Sequence, residues 1–155
     1  METRLMAHEM EPIRVKLNFR SCLSMNLEGN GGELAMLWND DLDAMVVSYS
    51  NNHIDMIIGD DGSMDSWRLT GIYGQPEMHK RGKTWTLLQA LHGQMHKPWV
   101  SLVDFNEILR LAEKHGAGVR VSWQMDHFWN AFQDSSLADM QCEGSVFTWN
   151  NGRRG

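Results

Sequence analysis

The chain has 155 residues, 42% of them hydrophobic, with 14 basic against 20 acidic side chains and a formal charge of −6. That length supports one domain with a sizeable core rather than two, and the acidic balance excludes a protein that holds nucleic acid by bulk electrostatics. Cys22 and Cys142 are too few for a disulfide or metal framework; with no secretory signal and no long apolar stretch, the protein is expected to be intracellular and off the membrane, with both thiols reduced.

Met6, Met10, Ile13 and Leu17 recur at helical spacing, which predicts an amphipathic helix over about residues 6 to 17, with Glu9, Glu11, Arg14 and Lys16 outward. Short β-rich runs follow from Ser21 to Asn26, Glu33 to Trp38, Ala44 to Ser50 and His53 to Ile58, separated by Gly- and Asn-containing turns. Asp61-Gly62 predicts a tight reversal that pairs the last of these with Trp67 to Tyr73 as an antiparallel hairpin.

A second helix is predicted from Pro76, a favoured first helical residue, with Trp85, Leu88, Leu91 and Met95 inward and Gly82 weakening it. It delivers the chain to a strand ending at Asp104. A polar loop through Gly116 and Gly118 leads to a third helix from Ser122, where Met125, Phe128, Trp129 and Phe132 mark the inner face. Leu137 to Met140 and Val146 to Trp149 are predicted as closing strands. The twelve methionines read as core fillers. Most of the tryptophans at 38, 67, 85, 99, 123, 129 and 149 read as core too. This order predicts a mixed α/β domain in which two largely antiparallel sheets pack face to face with helices outside.

The chemistry concentrates in Pro98-Trp-Val-Ser-Leu-Val-Asp-Phe-Asn-Glu-Ile-Leu109. An apolar strand runs straight into an acid and an amide two residues apart, and strand side chains alternate faces, so Asp104 and Asn106 are expected to project to the same side. A carboxylate and an amide so placed suit phosphodiester chemistry: the first can orient and deprotonate a water, and the second can donate hydrogen bonds to a phosphate oxygen. A bare Asp-x-Asn is more often a simple turn.

Four other segments change that weighing. Met1-Glu-Thr-Arg-Leu5, Gly31-Gly-Glu-Leu-Ala-Met-Leu-Trp38, Trp67-Arg-Leu-Thr-Gly-Ile-Tyr-Gly74 and Gly144-Ser-Val-Phe-Thr-Trp-Asn-Asn-Gly152 occur in order along nearly the whole chain. Together with Asp104-Phe-Asn106, they resemble the endonuclease/exonuclease/phosphatase family. More narrowly, they are similar to the nicking endonuclease domain of plant non-LTR (LINE-type) retrotransposons.

The resemblance implies a four-layer sandwich, a Mg²⁺ ion (or Mn²⁺ in its place), DNA as substrate and, for a working retroelement enzyme, a nuclear location. Glu2 falls on the family's metal-binding glutamate and Tyr73 on its active-site tyrosine. Asp104 falls on the residue that positions the nucleophile, and Asn106 on the one that contacts the phosphate. Arg4 replaces a Lys, Glu33 a second Gly, and Val103 the Gly before Asp104. A β-branched residue cannot supply the positive φ a Gly can.

The resemblance further implies that residues 1–155 are a single partial domain, because the family's first strand, with its Asn, and its closing Asp and His segments have no match here. The chain as given is therefore expected to be inactive in DNA nicking. Two alternatives stay open: a non-catalytic remnant, and a phosphatase acting on phosphoinositides or nucleotides.

Weaker signals have simpler readings. His92 and His96 have metal-ligand spacing, but Gly93 lies between them and no Glu does. Asp40, Asp41 and Asp43, like Asp60, Asp61 and Asp65, lack the distal Glu of a calcium loop and read as turns. The basic stretches His79-Lys-Arg-Gly-Lys83 and Arg153-Arg154 read as solvated surface.

Overall fold

A computed structural model describes residues 2–3, 7–26, 33–116, 120–140, 143–144 and 147. It divides into two compact units. The first is drawn from residues up to Gly74 together with His96–Phe105, and the second from Gln75–Met95 together with residues from Asn106 onward.

The first unit holds both sheets. β1 (Glu2–Thr3), β2 (Ser21–Asn26) and β3 (Glu33–Trp38) form an antiparallel sheet in the order β1-β3-β2. β4 (Ala44–Ser50), β5 (His53–Ile58), β6 (Trp67–Tyr73) and β7 (Trp99–Asp104) form the other in sequential order. Neighbours in this second sheet run antiparallel, except that β6 and β7 are parallel. The predicted hairpin of β5 and β6 is present, but its connection is the longer loop 59–66 rather than a tight turn. There Asp60 accepts the Gly62 N–H at 3.1 Å, and Lys97 ties the loop down through Asp61 (3.1 Å) and Ser66 (2.7 Å).

Alternation decides which side chains lie between the sheets. Ile54, Met56 and Ile58 of β5 and Tyr73 of β6 cluster with Leu34 of β3, and Met36, Trp67 and Leu69 pack against them. All six residues of β5 are buried, so its other face, with His53, Asp55 and Ile57, is covered too. Gly71 leaves room for Met36, whose sulfur would lie 3.4 Å from an added Cβ.

His53 sits between two hydroxyls, with Ser48 Oγ 3.1 Å from Nε2 and Ser50 Oγ 2.7 Å from Nδ1. Burial lowers its pKa from the ordinary 6.5, and the Arg68 charge lowers it further against the opposing pull of Asp55. The unfolded chain therefore binds this proton more readily than the fold does. Its contribution to stability is complete above about pH 6.5 and is lost as pH falls toward the depressed folded value. Urea midpoints measured across that acid range should decline, and His53→Gln should flatten the decline; an identical slope in both proteins would refute the assignment.

The first helix is shorter than its sequence pattern. A 3₁₀ turn at Ala7–Glu9 precedes α1 (Met10–Lys16), and Met6 lies outside the described residues. Pro12 explains the late start: it is tolerated in the first turn, where its missing N–H would be unpaired anyway. Met10 is buried, but Leu17 caps the helix and is 57% exposed, so it does not extend the apolar face. Arg14 binds Glu11 at 2.6 and 2.8 Å and also donates to the carbonyls of Phe19 and Arg20, fastening the turn into β2.

In the second unit, α2 (Arg81–Gln94) does not start at Pro76. Glu77 is extended, Met78–Lys80 form a 3₁₀ turn, and the Gln75 N–H is held by Thr84 Oγ1 at 2.9 Å. Proline's fixed φ serves an extended lead-in as well as a helix start, and the Gln75 contact selects the former. Met95 is likewise extended, as the C-cap of α2. α3 (Ser122–Asp134) starts where expected and packs on α2, with Trp85 stacked on Phe128 at 4.7 Å.

The inner stripe of α3 is Gln124, Phe128, Ala131 and Phe132. It is rotated from the predicted one, leaving Trp129 42% exposed on the flank and Trp123 51% exposed. Residues 137–140 form no strand, and of 146–149 only Phe147, also not in a strand, is described. Met10 and Met56 fill cores as expected, whereas Met64, Met140 and Met78 are exposed.

Gly82 is exposed in the first turn of α2, without positive φ, and an added Cβ would meet nothing within 4 Å. Gly82→Ala should therefore stabilise the fold by about 0.4–1 kcal/mol, by restricting the unfolded chain. Thermal denaturation showing a lower midpoint for the variant would contradict this.

Candidate active site

The parallel pairing of β6 and β7 puts Tyr73 and Asp104 opposite each other at the C-terminal ends of their strands. Paired residues on parallel strands share a face. Tyr73 is 7% exposed and belongs to the inter-sheet cluster, whereas Asp104 is exposed to solvent. Val103 is a regular strand residue paired with Ile72 and takes no positive φ.

Two residues that sequence reading did not single out fix this end of the sheet. Gly74 donates its N–H to the Asp104 carbonyl at 2.8 Å, and a Cβ on it would sit 2.5 Å from that oxygen and 2.9 Å from Phe105 Cα. Asn52, in the turn between β4 and β5, clasps Tyr73: its carbonyl accepts the Tyr73 N–H at 2.9 Å, and its side-chain amide donates to the Tyr73 carbonyl at 3.4 Å. The asparagine turn signal was visible, but its reach to Tyr73 depends on the register of β5 with β6.

Asn106 is placed differently from its expectation. The strand ends at Asp104, and Asn106 has φ 52, so period-two alternation no longer governs its direction. Asn is among the residues that tolerate this left-handed region. It falls in the second unit, where the side chain of Glu107 beside it is buried. Arg81 and Arg120 both pair with Glu107, so Arg81 is a buried structural cation and not part of a solvated basic stretch. Lys80 instead binds Glu77 at 2.6 Å, and Arg153 and Arg154 lie outside the described residues.

A buried polar chain crosses the middle of the second sheet. Arg68 forks onto both oxygens of Asp55 at 2.8 Å each, and Thr70 donates to Asp55 at 2.6 Å. Trp99 donates its indole N–H to Thr70 at 2.8 Å and stands 5.0 Å from the guanidinium. An acid inside an otherwise apolar strand signals a cation on the neighbouring strand, but which cation depends on register.

Glu2 lies in β1, its backbone paired with Leu34. Among the described residues, no three His, Cys, Asp or Glu gather as a metal cage, and His96 falls beyond the end of α2, away from helical spacing with His92. Mg²⁺ asks for less than a cage. It takes one or two hard carboxylate oxygens and keeps several waters, and the donor chemistry of Glu2 fits that demand. Residues 40–41 and 60–65 are turns and loop.

Among the described residues, two packed sheets and three α-helices give an α+β fold. The fold is similar to a solved structure, the endonuclease domain of TRAS1, a telomere-specific non-LTR retrotransposon, with a TM-score of 0.52 and 12% sequence identity. The similarity covers 86% of this chain and 66% of that one. No family model matches the chain, and no curated protein does. Among the described residues, no helix is long and apolar enough to cross a membrane.

Proposed function

We propose that the chain is a metal-dependent phosphodiester hydrolase domain of the DNA-nicking kind carried by non-LTR retrotransposons, of the plant LINE-type branch that its sequence segments resemble. The observation that carries this reading is the solvent-exposed Asp104 carboxylate held opposite Tyr73 at paired strand ends, on a fold similar to that of an endonuclease domain.

In this reading Asp104 orients and deprotonates the attacking water, which its exposure allows. Asn106 donates its amide N–H groups to a phosphate oxygen. Tyr73, anchored in the core, holds the phosphate and does not itself react. Glu2 would hold Mg²⁺ or Mn²⁺; when bound, such an ion supplies positive charge against the charge developing on phosphate. A carboxylate site is compatible with an acidic chain, because a bound cation inverts the local sign.

The test is nicking of supercoiled plasmid with Mg²⁺, using the 155 residues alone and joined at each end to family-like segments. Asp104→Ala should lower nicking on the order of 10²- to 10³-fold in whichever form is active. Nicking that survives Asp104→Ala, or none from either form, would overturn the reading. The burial of Tyr73 favours a second reading, a non-catalytic remnant, under which neither form nicks.

A further inference from the structure

Glu107 follows Asn106 directly, and its side chain is only 1% exposed. Two guanidinium groups distant in sequence converge on it. Arg81, the first residue of α2, pairs with Oε2 and also donates to the Pro76 carbonyl at 3.3 Å. Arg120, just before α3, places Nε 3.4 Å from Oε1 and donates through Nη2 to the Asn106 carbonyl at 3.4 Å. Oε1 additionally accepts the Ile108 N–H at 3.1 Å.

A buried carboxylate is retained only when its charge and lone pairs are met, and here both oxygens are engaged. Arg120 thereby couples the carboxylate to the backbone of the one residue in this stretch held at positive φ, Asn106. We propose that Glu107 is a positioning residue: through Arg120 and Arg81 it fixes the left-handed turn at Asn106 and so the direction in which the Asn106 amide is presented to a phosphate. The inference rests on the functional reading above, in which Asn106 meets the phosphate.

The test is a double-mutant cycle in the nicking form of the protein. Glu107→Gln keeps size and shape but removes the charge, and should reduce nicking roughly tenfold to a hundredfold. In an Asn106→Ala background it should add no further loss, since both changes disable one interaction. Glu107→Asp should recover part of the rate. A purely structural Glu107 would instead give losses that multiply, which would overturn the proposal. If Asn106→Ala alone leaves nicking intact, the functional reading fails rather than the positioning.

A second measurement reads positioning without activity. The Asn106 side-chain amide, identified in a ¹H–¹⁵N spectrum by its disappearance in Asn106→Ala, should shift in Glu107→Gln and in Arg120→Lys. Arg120→Lys serves if Glu107→Gln does not fold, because Arg120 is partly exposed. An unchanged amide resonance in the folded variants would overturn the proposal.

Discussion

Asp55→Ala is expected to destabilise the protein by about 3–5 kcal/mol, because it leaves the Arg68 guanidinium buried without its counter-charge. Both side chains are 1% exposed, so water cannot take over the lost interaction. The same change strands Thr70, which donates to Asp55 and accepts from Trp99. The loss belongs to the broken pair, not to ionic bonding as such. Replacing both partners, as in Asp55→Leu with Arg68→Met, should cost less than either single change, since no charge is then left buried without its partner and only the Thr70 hydroxyl loses its acceptor. Denaturant titration of the two singles and the double closes the cycle; a loss under about 1 kcal/mol for Asp55→Ala would show that the network bears little of the stability.

Gly74→Ala should be the most damaging conservative change at the site. The new methyl would stand 2.5 Å from the Asp104 carbonyl oxygen and 2.9 Å from Phe105 Cα, and backbone atoms cannot swing aside as a side chain can. Relief requires β6 and β7 to separate at the ends that carry Tyr73 and Asp104. Overpacking of this severity costs on the order of 3 kcal/mol. Nicking should fall with it even at temperatures where the variant stays folded. Wild-type stability and activity in Gly74→Ala would mean that the strand ends are looser than this packing implies.

Much of the first unit was legible in the sequence because β-rich runs and turn residues agree. β2 to β5 are β-rich runs bounded by Gly- and Asn-containing turns, and those turns mark where each strand starts and stops. The second unit was harder. Pro76 marks a helix start or an extended lead-in equally well, and only the Gln75–Thr84 contact decides between them. The stripe on α3 was misplaced because Gln124 and Ala131 line the buried side while the larger Trp129 stays on the flank.

At the candidate site, the exposed acid closing an apolar strand was readable. The turn at Asn106 was not, because alternation holds only while the strand lasts. Asp55 with Arg68, Gly74 with Asp104 and Asn52 with Tyr73 all depend on strand register, which one sequence does not disclose.

The parallel pairing of β6 and β7 also bears on how the sheet assembles. β4, β5 and β6 are joined through the turn at 51–52 and the loop 59–66, so each pair can zip from its own connection. β7 has no such start: residues 74–98, including all of α2, intervene before it meets β6. Loop-closure entropy grows with the chain enclosed, and contacts between remote segments are the slow ones to nucleate. Within this sheet, Asp104 thus rides on the strand with the costliest closure, and a chain that has formed only its hairpins has a sheet but not yet the paired strand ends on which the proposed chemistry depends.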